Sequence, residues 1–216
     1  MFKRHVVVVE NEALLRDLIG QSLESAGYRV STAANTADAK RACEVLAPDA
    51  VVLDIELGPG PNGFDFAEYL MRTRPDVGVV FLTNLPDPRF AGRAPHGISK
   101  NSAYLRKSQL MNSHELQDAI EAVLKESISV RHRHDLDSTR PLAVLSRKQI
   151  EVLFMLSQGQ SNSQIAENRG TSIRAVEGMV SRIFEALAID PAANGNARVE
   201  AARTYMSAIG SPILEH

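Results

Sequence analysis

Glu10, Asn11, Asp54, Thr83 and Lys107 are the residues of this chain whose types and positions could do chemistry together. Each closes or follows a short apolar run. Asp54 ends Ala50-Val51-Val52-Leu53 and is followed by the turn-rich Gly58-Pro59-Gly60-Pro61-Asn62-Gly63. A short apolar run bounded by turn signals reads as a strand buried on both faces. Ligand chemistry in open α/β sheets gathers at the carboxyl ends of such strands. Acids clustered there repel one another and call for a cation such as Mg²⁺, which takes oxygen ligands from one or two carboxylates. A carboxylate beside that metal can attack a phosphoryl donor. A hydroxyl and an ammonium can then hold the phosphoryl oxygens.

The surrounding pattern supplies the elements that must position these residues. Val6–Val9 is a β-branched first strand, ending in Glu10-Asn11-Glu12. A helix follows with Leu14, Leu15, Leu18, Ile19 and Leu23 on one face, stopped by Gly27. Tyr28–Ala33 is a second strand, Thr36–Leu46 a helix and Ala50–Leu53 the third strand. Phe64, Ala67, Leu70 and Met71 mark the next helix, and Val77–Leu82 is a fourth strand ending at Thr83. Asn84–Asn101 carries Pro86, Pro88 and Pro95 and little apolar periodicity, so the helix due there is expected to be short, irregular or mobile. Ala103–Arg106 is a fifth strand ending at Lys107. A last helix opens on Asn112 and Glu115 and turns Leu116, Ala119, Ile120, Val123 and Leu124 inward. Strands alternating with helices imply a parallel, doubly wound five-stranded sheet.

Over about residues 3–125 the chain resembles a two-component receiver domain, of flavodoxin-like fold. The resemblance rests on Glu10 and Asn11, Asp54 after an apolar strand, Asn62-Gly63 opening the third helix, Thr83, and Tyr104-Leu105-Arg106-Lys107. It implies that Asp54 is the phosphoacceptor and that Lys107 contacts the phosphoryl group. It also implies that Thr83 is the hydroxyl that moves to that group and that Tyr104 changes rotamer with it. Mg²⁺ would be held by Glu10, Asn11, Asp54 and the backbone carbonyl of Glu56, and the partner would be a sensor histidine kinase. Asn11 stands where the family has a directly ligating acid, which predicts weaker metal affinity. Ser108 replaces a common proline, and the proline-rich 84–101 segment replaces a face that relatives use to dimerise.

Ser127–Pro141 holds Arg131-His132-Arg133-His134 and no apolar periodicity, and reads as an exposed tether. Beyond it the pattern is helical only. Ser146 and Gln149, then Ser161 and Gln164, have capping-box spacing. Ile150, Leu153, Phe154 and Met155 supply the first apolar face. Asn168-Arg169-Gly170 is a turn, and a longer helix from about Ser172 to Ala188 presents Val176, Val180, Ile183, Phe184 and Leu187 to a core. Asn194-Gly195-Asn196 precedes a final helix carrying Val199, Ala202 and Met206. Two helices joined by a glycine-containing turn match a helix-turn-helix.

Residues 142–208 look like a LuxR/NarL-type output domain, on Leu145-Ser146-Arg147, Glu151-Val152-Leu153, Gly159, Asn162, Ile165-Ala166, Ser172, Val176, Val180, Ile183, Leu187 and Arg198. That resemblance implies double-stranded DNA as ligand, with Arg174, Glu177, Gly178, Ser181 and Arg182 on the reading face, and a homodimer when active. Glu177 stands where relatives carry a base; Glu can read cytosine but repels phosphate.

Composition sets the outer bounds. The chain has 216 residues, net charge −2 and 44% hydrophobic residues, enough for one large or two small cores. No part is strongly basic, so nucleic-acid binding rests on the resemblance and not on bulk charge. No apolar run reaches the roughly 18–20 residues of a membrane span, and no signal-peptide layout is present. A lone cysteine, Cys43, forms no internal disulfide and suits a reducing cytoplasm. The expected organisation is a receiver at 1–126, a linker at 127–141 and a helix-turn-helix domain at 142–213, with 214–216 reading as a tag scar. The expected function is transcription control by a phosphorylated, non-enzymatic response regulator. Two alternatives are a phosphorylation-independent DNA-binding regulator and a protein-interaction regulator whose helix-turn-helix does not read DNA.

Overall fold

A computed structural model describes residues 3–92, 98–192 and 196–210. Pro95, Asn194, Gly195 and the tag reading of 214–216 lie outside the described residues. Internal contacts divide the chain into two units: Met1–Asn84 with Ile98–Leu136, and Leu85–Gly97 with Asp137–His216.

The first unit is a five-stranded sheet in the order β2-β1-β3-β4-β5. Its strands are β1 (His5–Val9), β2 (Arg29–Ala33), β3 (Ala50–Leu53), β4 (Gly78–Thr83) and β5 (Ala103–Arg106), and all the pairings are parallel. Helices α1 (Ala13–Ser25), α2 (Thr36–Leu46), α3 (Gly63–Thr73) and α4 (Ser113–Leu124) belong to the same unit. Val6, Val8, Val52, Val80 and Leu82 form one core with Ile19 and Leu23 of α1 and Leu116 and Ile120 of α4. The intervening Val7, Val9, Val51, Leu53 and Phe81 are also buried and point to the opposite face, since strand side chains alternate. This is the doubly wound sheet expected from the alternating pattern.

The apolar face expected for α1 is narrower in the structure, made of Leu15, Ile19 and Leu23. Ile19 and Leu23 are buried, but Leu14 is 75% and Leu18 54% exposed. The five leucines and isoleucines span too wide an arc for one helix to bury against a sheet edge. Met71 of α3 is likewise exposed.

The tether reading of Ser127–Pro141 fails between 130 and 136. Two 3₁₀ turns, Val130–His132 and His134–Leu136, lie along β5. Arg133 forms a parallel bridge with Tyr104, and the Arg106 N–H donates to His134 Nδ1 at 3.0 Å. His132 and Asp135 are buried; His132 Nε2 lies 2.8 Å from Asp118, and Asp135 accepts from Arg133 Nε and Nη2 at 2.8 Å each. Polar side chains satisfy this segment, which is why apolar periodicity did not reveal it.

The second unit contains α5 (Arg147–Ser157), α6 (Asn162–Asn168), α7 (Ile173–Ala186) and α8 (Ala197–Ala208). Ser146 and Ser161 form capping boxes with Gln149 and Gln164, as their spacing predicts. Ile150, Leu153, Ile165, Val176, Val180, Ile183 and Tyr205 share the core. Phe154 is 46% exposed against expectation. Helix α8 buries Ala201, Tyr205 and Ala208; of the residues noted on it, Met206 packs against the same core and Val199 is exposed. Tyr205 stacks with Phe90 at 5.7 Å. Phe90 belongs to Leu85–Gly92, where the expected helix is reduced to one 3₁₀ turn, Pro88–Ala91.

Candidate functional site

The strand register aligns the predicted residues. Val9, Leu53, Phe81 and Tyr104 lie side by side across β1, β3, β4 and β5. Glu10 and Asp54 are each one residue beyond that line, Thr83 is two beyond it, and Lys107 directly follows β5. All therefore sit at the carboxyl edge of the sheet.

Glu10 and Asp54 are 2% and 5% exposed. Lys107 Nζ donates to Glu10 Oε2 at 2.6 Å and to Asp54 Oδ2 at 2.8 Å. The other carboxylate oxygens accept backbone bonds, Glu10 Oε1 from the Glu12 N–H at 3.1 Å and Asp54 Oδ1 from the Glu56 N–H at 3.2 Å. Burial works against the Lys107 ammonium, yet Asp54 and Glu10 outweigh it and hold its pKa above the ordinary lysine value. Loss of solvation and then the nearby Asp54 carboxylate push the Glu56 carboxyl up.

Two features behind the acceptor fix its backbone. A Cβ on Gly63 would stand 2.2 Å from the Asp54 carbonyl oxygen and 2.8 Å from Ile55 Cα, so only glycine lets α3 start this close to the strand end. Asn62 and Asp65 complete a capping box there. Arg16 was not singled out by sequence reasoning. Its Nη1 donates to the carbonyl of Glu10 at 2.8 Å and to that of Asn11 at 3.4 Å, pinning the turn that carries both. A lone arginine seven residues past a strand end gives no pattern to find it by.

Thr83 and Tyr104 are fully buried, with the Tyr104 ring 6.1 Å from that of Phe81. Asn11 is exposed, and its Nδ2 would lie 4.0 Å from a Cβ on Gly58, so the long loop after Asp54 returns to it. Among the described residues no cluster of three or more His, Cys, Asp or Glu side chains could hold a metal ion. The available donors are two carboxylates supplemented by amide and carbonyl oxygens. That all-oxygen set fits Mg²⁺, which keeps several waters and often relies on phosphate for the rest.

In the second unit α6 and α7 make the helix-turn-helix, joined through Gly170 at φ 59°, with Ser172 capping α7. Arg174, Glu177, Ser181 and Arg182 are exposed, and Gly178 is half-buried. Their spacing places all five on one stripe of α7, opposite Val176, Val180 and Ile183. The Ser181 hydroxyl donates to the Glu177 carbonyl at 3.1 Å. Arg169 pairs with Glu151 at 2.9 Å. Arg198 donates to Asn162 Oδ1 at 2.8 Å and to the Gln160 carbonyl at 2.5 Å, so its place in the pattern is structural.

The response regulator receiver domain model matches residues 6–125, and the model of bacterial regulatory proteins of the luxR family matches residues 143–191. The chain belongs to the response regulator receiver family. This response regulator joins a receiver to a LuxR-type DNA-binding domain, the architecture of a two-component regulator that controls transcription. It is 23% identical over 173 residues to oxygen regulatory protein NreC of Staphylococcus haemolyticus, covering 73% of this chain and 78% of that one. RcsB, solved as two dimers bound to two parallel DNAs, superposes with a TM-score of 0.58 at 17% identity over 94% of this chain and 99% of that one. A CheY-like receiver domain protein from Methanospirillum hungatei covers 58% of this chain and 97% of that one, with TM-score 0.51 and 21% identity. At these identities the solved structures speak to the fold. Among the described residues no helix is long and apolar enough to cross a membrane.

Proposed function

We propose that Asp54 accepts a phosphoryl group from a sensor histidine kinase and that this event controls DNA reading by α7 in the cytoplasm. The observation that carries the proposal is the buried carboxylate pair bridged by Lys107 Nζ at 2.6 and 2.8 Å. Asp54 attacks the phosphorus of a phosphohistidine, a P–O bond forms, the P–N bond breaks, and the imidazole leaves with a proton. Lys107 turns to the incoming oxygens, releasing part of its hold on Glu10. Thr83 supplies a hydroxyl to the same group, and Tyr104 repacks behind it. Glu10, Asp54, the Asn11 amide oxygen and the Glu56 backbone carbonyl would hold Mg²⁺. When bound, that ion neutralises charge on the transferring group. The phosphoaspartate adds negative charge to a buried site.

In the output domain Arg174 and Arg182 contact phosphates or guanine edges, Glu177 reads cytosine and Ser181 lies between them. Gly178 lets the helix backbone approach the groove. An active homodimer presents two such helices to two half-sites, an arrangement supported by the dimers of RcsB on DNA. A second reading, a regulator that works without phosphorylation, is favoured by Asn11 in place of an acid. Intact mass after incubation with Mg²⁺ and acetyl phosphate separates the two. One added phosphoryl group, absent in Asp54→Asn, is expected. No gain from this donor or from a phosphorylated kinase would establish the second reading. Sequences recovered from a random duplex pool, with and without donor, test the DNA function.

A further inference from the structure

Leu85–Gly92 follows the switch threonine, yet it is built into the DNA-binding unit. Leu85 through Arg89 are all buried. Arg89 Nε and Nη2 donate to Asp87 at 2.8 and 2.6 Å. The remaining Arg89 donors reach the carbonyls of Leu142, Ala143 and Leu145. Those carbonyls form the turn directly before Ser146, the cap of α5. Asp87 also accepts from Arg140 Nε at 2.7 Å, and Arg140 Nη1 donates to the Asp137 carbonyl at 2.7 Å. Phe90 stacks on Tyr205 of α8, and Arg147 of α5 donates to the Gly92 carbonyl at 3.2 Å. The entry of the output domain is thus organised on a segment that begins two residues after Thr83.

We propose that Leu85–Gly92 is a transmission strap, through which movement of Thr83 is passed along the chain into the turn that opens the DNA-binding domain. The inference rests on the phosphoacceptor reading of Asp54. Three observations carry it. First, the strap is short: Asp87 is four positions after Thr83, an extended reach of about 13–14 Å. Second, Pro86 and Pro88 fix φ on either side of Asp87 and leave little slack to absorb a displacement. Third, the clamp is polar. Apolar side chains would fill the same volume without burying charge, whereas a fully satisfied charged network specifies one arrangement and is lost as a set. A pull on Asp87 therefore disturbs Arg89, its three carbonyls and Arg140 together.

Hydrogen exchange by mass spectrometry on the full chain tests the strap, with Mg²⁺ and acetyl phosphate in excess and intact mass read on the same samples. In the wild type, phosphoryl uptake is expected to change amide exchange in 85–92 and 142–146 by about tenfold, a local opening of the kind that lost bonds to a charged group produce. A Gly-Gly insertion between Asn84 and Leu85 keeps every clamp residue and adds only slack. It should take up the phosphoryl group equally and show less than about a twofold exchange response. Arg89→Gln should do the same through loss of the clamp. An undiminished exchange response in the insertion variant overturns the strap, as does phosphoryl uptake with no exchange response in the wild type. In both cases Asp54 stands as acceptor. Absence of phosphoryl uptake throughout overturns the acceptor reading and the strap with it.

Discussion

Two buried ionic triads define this response regulator, and they are built in opposite senses. In the receiver one ammonium, Lys107, serves two carboxylates, Glu10 and Asp54. In the output unit one carboxylate, Asp87, serves two guanidiniums, Arg89 and Arg140. The second triad spends its surplus donors on backbone carbonyls, so it is closed and structural. The first keeps a surplus of negative charge at a sheet edge, where a metal ion and a phosphoryl group could complete it. A buried charge cluster left under-neutralised marks a place for a ligand, whereas one whose partners are all protein marks a fixed joint.

Removing one flanking member of each triad should break the comparison most sharply. Asp54→Asn should abolish phosphoryl uptake, read as the loss of the added mass, while the fold survives. Arg89→Met should leave phosphoryl uptake intact and destabilise the output unit by about 3–5 kcal/mol, because Asp87 and the carbonyls of Leu142, Ala143 and Leu145 lose a buried partner. Urea unfolding followed in that unit measures it. If Arg89→Met costs nothing, the second triad is no joint. Next in size is Gly63→Ala. The new methyl would meet the Asp54 carbonyl oxygen at 2.2 Å, so about 1–3 kcal/mol of stability should go, together with most of the phosphorylation rate, read by urea midpoint and by mass against time.

The receiver site was legible in the sequence because each of its residues ends an apolar strand, and strand ends of a parallel sheet share one edge. Glu10, Asp54 and Lys107 meet as their positions predict. Arg16 was invisible because it acts on backbone carbonyls. The second triad was invisible for a related reason. Asp87 and Arg89 sit among prolines in a segment without periodicity, and their partners lie more than fifty positions away in the sequence. The segment 130–136 was read as a tether because its order comes from histidine, arginine and aspartate pairs rather than apolar faces. Helix α1 shows the converse error, since leucine spacing alone placed Leu14 and Leu18 inward while the core takes only Leu15, Ile19 and Leu23.

The triads should also separate by pH. Desolvation acts to raise the Asp87 carboxyl, but Arg89 and Arg140 overcome it and hold it below the ordinary value. Its contribution is present above the unfolded carboxylate pKa, near 3.9, and is lost as pH falls through the lower folded value. Lys107 is held above its ordinary value. Its contribution is present below the unfolded lysine pKa, near 10.4, and is lost as pH rises through the folded value. As pH falls below about 4 the output unit should therefore begin to lose its joint; above about pH 10.4 the receiver triad should loosen first. Thermal melts of wild type and Arg89→Met across both limits check this: the gap between the two should narrow at the acid end only.

The smallest expected effect bears on the exposed face of α7. Gly178 lies in the middle of α7, and a Cβ there would have nothing within 4 Å. A glycine inside a helix costs about 1 kcal/mol relative to alanine, and no packing within the chain explains it. Gly178→Ala should raise the stability of the output unit by about that amount, read as a higher melting temperature. If the bare backbone is there to approach a DNA groove, the same variant should bind a duplex selected by the wild type about tenfold more weakly, the size of one misplaced contact. Stability and affinity would then move in opposite directions. A variant that gains stability and keeps full affinity would place the reading contacts on Arg174, Glu177, Ser181 and Arg182 alone, and Gly178 would be a cost without a partner.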